Sequence, residues 1–192
     1  TKLILAFILV TLVPLIVLGY FSTTRTRDIL YQNSTTDLEE SAHLLTLQVD
    51  TFVNNELRNL YIESQDHNFV QYLSLTPALR AGSGAENSAR KALTVLFRKD
   101  PVFIQSYALI DTNGRNILDT AGQNLGLYEK DYEYFKKTVS AGAPIVHGPV
   151  FDQQDGHASL FFSAPIRNDN GGFIGILRVE YKASIIQSIV NS

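Results

Sequence analysis

Hydrophobic and polar positions divide the chain into three regimes. From Leu3 to Thr24 there is no charged residue. Wound as a helix, that run reaches about 33 Å, enough to cross a bilayer core of about 30 Å. It predicts a transmembrane helix over residues 3–24, within an uncleaved anchor formed by residues 1–24. A cleaved signal peptide has an apolar core of about 7–15 residues and a small-residue cleavage site, and this run is longer and lacks a clear A-x-A. Pro14 predicts a kink, tolerable where a neighbouring group or water re-satisfies the freed carbonyl. Tyr20, Phe21, Arg25 and Arg27 read as an interfacial belt, while Lys2 on one side and two arginines on the other leave the orientation undecided by charge.

The second regime, residues 25–100, has a helical period. Thr36-Asp37-Leu38-Glu39 has the form of a capping box. Leu38, Ala42, Leu45, Val49 and Phe52 then recur at three- and four-residue spacing, and the stripe shifts to Val53, Leu57 and Leu60. The pattern predicts a long amphipathic stalk helix whose stripe faces a core, pairs with its twin in a homodimer, or does both. Thr76-Pro77 breaks it and Ala81-Gly82-Ser83-Gly84 reads as a loop. Ala85–Phe97 predicts a second helix, stopped by Asp100-Pro101.

In the third regime, residues 101–192, the period is mostly two. Strands are predicted over Ile104–Ile110, Asn116–Asp119, Val146–Phe151, His157–Ile166 and Phe173–Tyr181, with turns at Asp111-Thr112-Asn113-Gly114, Gln153–Gly156 and Arg167–Gly172. Tyr128–Val139 predicts an inserted helix ended by Gly142 and Pro144, and Ala183–Val190 a last one. The order defines an α+β domain with helices segregated on one sheet face, residues 101–192 packing with 36–100 as one unit. At about 168 residues, the chain beyond the anchor buries roughly 70% of its unfolded surface without a metal or disulfide staple.

Charge and composition then remove whole classes of function. The formal net charge is −3 and Lys2 is the only charge before residue 25, so the remainder is slightly more acidic still and has no basic stripe for nucleic acid. Without cysteine there is no disulfide framework and no thiolate chemistry. The chain starts at Thr1 and has no Met, as a processed start or an excerpt would. No G-x-S-x-G, H-E-x-x-H, P-loop or glycine-rich dinucleotide turn is present, so no catalytic residue and no cofactor is expected, and the chain is not read as an enzyme. His43 and His67 are far apart, and His147 and His157 lack ligand spacing, so no metal site is expected either.

The segments YALIDTNGRNILDT, DYEYFKKTVSAG and GPVFDQQDGHASLFFSAPIRNDNGGFIGILRVEY, in this order, resemble the double-Cache family of extracellular sensor domains, over roughly residues 36–190. The resemblance implies a PAS-like five-stranded antiparallel sheet after a stalk helix. It also implies display outside the membrane by a receptor kinase, diguanylate cyclase or chemoreceptor. In amino-acid-binding members, an arginine two residues ahead of an aromatic pair clamps a ligand carboxylate. Here the pair is Tyr134 and Phe135, and the arginine position holds Tyr132. The two acidic contacts to a ligand ammonium are retained as Asp152 and Glu180. An amine or another polar solute fits this balance better than a carboxylate.

Alternation reaches part of the same site from the residues alone. On the last strand Arg178 and Glu180 share one face, with Leu177 and Val179 on the other. They pair with each other on a solvated surface or meet a ligand. Tyr107, placed by alternation on one face with Gln105 and Leu109, lines the same pocket or fills the core, and Tyr134 and Phe135 carry the same two readings. The expected ligand-binding set is Tyr107, Tyr132, Tyr134, Asp152, Arg178 and Glu180, converging on the sheet face opposite the stalk helix. The expected function is extracytoplasmic sensing of a small solute by a receptor anchored in the cell inner membrane through residues 3–24. The alternative is a ligand-free module that dimerises or reads a periplasmic protein.

Overall fold

The computed structural model describes residues 38–151 and 156–191, so the anchor, the first half of the capping box and Asp152 lie outside the described residues. Among the described residues no helix is long and apolar enough to cross a membrane. The chain divides into Thr1–Leu47 and Gln48–Ser192. In the first unit, described residues 38–47 are helical and exposed apart from the half-buried Leu45.

The helical run α1 covers residues 38–64. Within the second unit its inner face consists of Phe52, Val53, Leu57 and Leu60, the stripe that the sequence predicts, continued by the buried Ser64. Three further helices follow: α2 (His67–Ser74), α3 (Pro77–Arg80) and α4 (Gly84–Phe97). Asp66 caps α2 by accepting from the Asn68 amide. Ser83 caps α4 through the Glu86 amide, and Glu86 reaches back to the amide of Gly82. Both exchanges satisfy orphan helix-start donors.

The remaining elements are β1 (Ile104–Asp111), β2 (Asn116–Asp119), α5 (Glu133–Ala141), β3 (Ile145–Phe151), β4 (Ala158–Arg167), β5 (Phe173–Lys182) and α6 (Ser184–Val190). The five strands form one antiparallel sheet in the order β2-β1-β5-β4-β3. The expected α+β class and five-stranded sheet are therefore present, with every predicted strand within a residue or so of its place.

The helices, however, are not segregated on one face. Leu60, Phe69, Leu73, Ala89, Leu93 and Ile185, from α1, α2, α4 and α6, pack with Tyr107, Leu109, Phe162, Leu177 and Val179 of the sheet. On the other face α5 makes a smaller core of Tyr134 and Phe135 against Ile110 and Ile176. This helix begins at Glu133 and not at Tyr128, because the preceding segment pairs with the β1–β2 turn: Tyr128 bridges Arg115, and the Glu129 amide donates to the Gly114 carbonyl. Gly114 permits the approach, since a Cβ there would lie 2.6 Å from Cβ of Lys130. Its φ of +80° also disfavours any other residue.

Candidate ligand-binding site

A cavity of about 350 Å³ opens on the sheet face opposite α1, between the strands and the chain leading into α5. Four of the six residues expected from the sequence line it: Tyr132, Tyr134, Arg178 and Glu180. Alternation on β5 brings Arg178 and Glu180 there, as expected, while Leu177 and Val179 enter the opposite core. Tyr134 is carried in by the first turn of α5, which is pinned to the sheet by a 2.6 Å hydrogen bond between Thr138 Oγ1 and Ser163 Oγ. Tyr132, at the α5 N-cap, remains half exposed.

Tyr107 is not in this cavity. It is 1% exposed on the opposite face, where its hydroxyl donates to Glu63 of α1 at 3.1 Å. Gln105, expected on the same face as Tyr107, instead lines the cavity. A bulge in β1 between Ile104 and Ser106 is the reason, because an extra residue against β5 moves the following side chain to the other face. Asp152 lies outside the described residues, although its sequence neighbours Val150, Phe151 and His157 line the cavity.

At the floor sits Arg178, 2% exposed. Its Nη2 donates to Asp119 Oδ2 at 2.9 Å and its Nη1 to Glu180 Oε2 at 3.0 Å, while Nε lies 3.7 Å from Glu129 Oε2 without a hydrogen bond. Asn116 Nδ2 donates to both Asp119 and Glu129 at 2.8 Å, and the Tyr134 hydroxyl donates to Glu129. Ser106 donates to Glu180 at 3.3 Å. Burial pushes the Glu129 carboxyl above the usual carboxylate range, against the opposing pull of Arg178 and the Asn116 hydrogen bond.

One guanidinium is thus surrounded by three carboxylates. The Phe161 ring closes the other side, 5.9 Å from the guanidinium carbon, and stacks on Tyr134 at 5.3 Å between centroids. Acidic groups under aromatic walls suit a positively charged guest. An anion would have to take Arg178 away from its carboxylates. Among the described residues no group of three His, Asp or Glu side chains is placed to hold a metal ion.

Asp119, Asn116 and Glu129 escape sequence reasoning. In a regular strand, positions 116 and 119 face opposite ways, but the register shift between β1 and β2 puts both beneath Arg178. Glu129 stands outside any helix or strand. Its only signal is a glutamate in a loop, which is normally a solvated residue.

No protein-family model matches the chain, and no curated protein does. Solved structures do match it in fold, and sensor domains of receptors are among them. The sensor domain of the Vibrio cholerae histidine kinase DctB is similar at a TM-score of 0.69 and 14% identity, covering 84% of this chain and 61% of its own. The ligand-binding domain of the Pseudomonas aeruginosa PAO1 amino acid chemoreceptor PctC, in complex with GABA, is similar at 0.58 and 17%, covering 80% and 66%. The E. coli DcuS sensor domain is similar at 0.58 and 16%, covering 76% of this chain and 99% of its own. The chain spans less than two thirds of the DctB and PctC structures. At these identities the likeness is one of fold, and the PAS-like fold implied by the double-Cache resemblance is the fold found here.

Proposed function

We propose that this chain is the extracytoplasmic ligand-sensing part of a membrane-bound signal-transduction receptor, and that its cavity binds a small solute bearing an amine. The observation that carries the proposal is the acidic floor under aromatic walls: Asp119, Glu129 and Glu180 around Arg178, beneath Phe161, Tyr134 and Tyr132. A cavity with convergent polar groups supports ligand binding over a dimerising spacer or a module that reads a periplasmic protein. Asp152 belongs to the proposed contacts through the family resemblance. The PctC structure holds GABA, whose ammonium is the chemistry proposed for this guest.

Residues 3–24 anchor the chain in the cell inner membrane, with residues 25–192 outside. The stalk helix pairs in a homodimer, and a small displacement of that helix carries the signal. The domain itself is not an enzyme; a kinase, cyclase or chemotaxis output belongs to the rest of the receptor.

A thermal-shift screen of amines, amino acids and organic acids on the detergent-solubilised chain tests the ligand class. Saturation at 100 times the dissociation constant adds about 2.7 kcal/mol of stability. Amines are expected to stabilise and dicarboxylates are not; the reverse result defeats the assignment.

A further inference from the structure

Resting on the amine-binding reading above, the geometry of the floor carries a consequence for how the guest is taken up. If Asp119, Glu129 and Glu180 were all ionised around Arg178, two negative charges would stand uncompensated in a largely buried site. Such an excess is expensive in a low-dielectric interior, so a proton or a counter-charge must be held there. The three carboxylates are not equivalent. Asp119 and Glu180 each accept a hydrogen bond from the guanidinium at 2.9 and 3.0 Å. Glu129 accepts none from it, and Arg178 Nε, which faces Glu129 at 3.7 Å, has no hydrogen-bond partner. Glu129 is also 4% exposed and forms part of the cavity wall.

We propose that the site exchanges a proton for the ligand's positive charge at Glu129: the carboxyl is protonated in the free protein, and one proton passes to the solvent as an ammonium group enters. The titratable and charged groups facing Glu129 come from every element around it: Asp119 of β2, Tyr132 and Tyr134 at the start of α5, Arg178 and Glu180 of β5, and His157 before β4. The upward displacement of the Glu129 carboxyl by burial agrees with the exchange. His157 lines the same cavity and carries a protonatable ring, so the test separates it from Glu129.

The test is titration calorimetry of the full chain in detergent, with n-butylamine, ethanolamine and 1,4-diaminobutane as probes. It is run from about pH 5 to about pH 8, in buffers of different ionisation enthalpy; these amines stay protonated throughout, so protons released come from the protein. The expected result is release approaching one proton per site at the acidic end, with affinity rising up to tenfold per pH unit and levelling above the Glu129 pKa. In Glu129→Gln the release and the pH dependence disappear; in His157→Gln both persist. Binding without proton release overturns the exchange and leaves the amine site standing, as does release that vanishes in His157→Gln. If none of the probes binds, the exchange and the amine reading fail together. If Glu129→Gln does not fold, the proton count in the parent protein read together with that in His157→Gln decides the matter.

Discussion

Glu180 and Tyr181 are neighbours on β5, yet their side chains serve opposite faces of the sheet: Glu180 accepts from Arg178 at 3.0 Å, and the Tyr181 hydroxyl donates to Glu56 of α1 at 2.9 Å. Ser106 and Tyr107 repeat the arrangement on β1, the first reaching Glu180 and the second Glu63. Two strands thus form the common wall between the cavity and the stalk helix. Truncating the helix-side bond by Tyr181→Phe is expected to cost about 1 kcal/mol of stability in denaturant unfolding. Amine affinity should change less than twofold, because the hydroxyl is on the far face. A larger loss of affinity would mean that α1 and the cavity are energetically coupled.

Arg178 is expected to be the costliest polar residue to remove. Arg178→Ala leaves the buried Asp119 and the partly buried Glu180 without their counter-ion, and breaking a buried pair costs about 3–5 kcal/mol. Arg178→Lys should recover only part of this, since an ammonium lacks the planar fork that serves Asp119 and Glu180 together. Urea unfolding near neutral pH measures both. If Lys restored full stability, the fork geometry would be irrelevant.

A half-buried carboxyl, Glu56, and a buried one, Glu129, contribute to the pH dependence of stability. Burial raises Glu56, helped by the neighbouring charge of Glu63 and opposed by the Tyr181 and Asn59 hydrogen bonds, and burial raises Glu129 in the same way. A carboxyl with a folded pKa above its unfolded value of about 4.3 binds more protons in the native state. Stability from these two groups is therefore fully present below that value and declines as pH rises through the folded pKa, opposite to a salt-bridged Asp. Glu56→Gln and Glu129→Gln should each flatten the decline. Denaturant midpoints from about pH 4 to about pH 8 test this, and an unchanged slope in both variants would reject it.

Gly114 holds the segment that delivers Glu129. Gly114→Ala meets both a φ of +80° and the backbone of Lys130 at 2.7 Å, so a loss of more than about 1 kcal/mol is expected. Amine affinity should fall with it as the 127–132 segment is displaced. Calorimetry and unfolding on the same sample check the two effects, and loss of stability with intact affinity would detach Gly114 from the site.

Tyr132 is an exposed aromatic of the cavity, 52% accessible. Its ring supplies a cation–π face in the proposed complex, so Tyr132→Ala should weaken amine binding by about 0.5–2 kcal/mol, with folding stability nearly unchanged. Tyr132→Phe should retain most of the affinity. If Phe behaves as Ala does, the hydroxyl and not the ring makes the contact.

Local pattern carried most of the architecture. The period-two runs from Ile104 to Tyr181 and the turn residues between them placed all five strands, because strand alternation and turn chemistry are properties of neighbouring residues. The same alternation put Arg178 and Glu180 on the cavity face, and the family resemblance added Tyr132 and Tyr134. What the tertiary structure alone decided depends on register and long-range pairing. A bulge of one residue at Gln105 took that side chain to the cavity while Tyr107 stayed against α1, and a shift on β2 brought Asn116 and Asp119 to one face. Pairing of residues 128 and 129 with the β1–β2 turn delayed α5 and buried Glu129 beside Arg178. No local signal marks either event, because a strand's register and a loop's burial are set by what packs against them, far away in sequence.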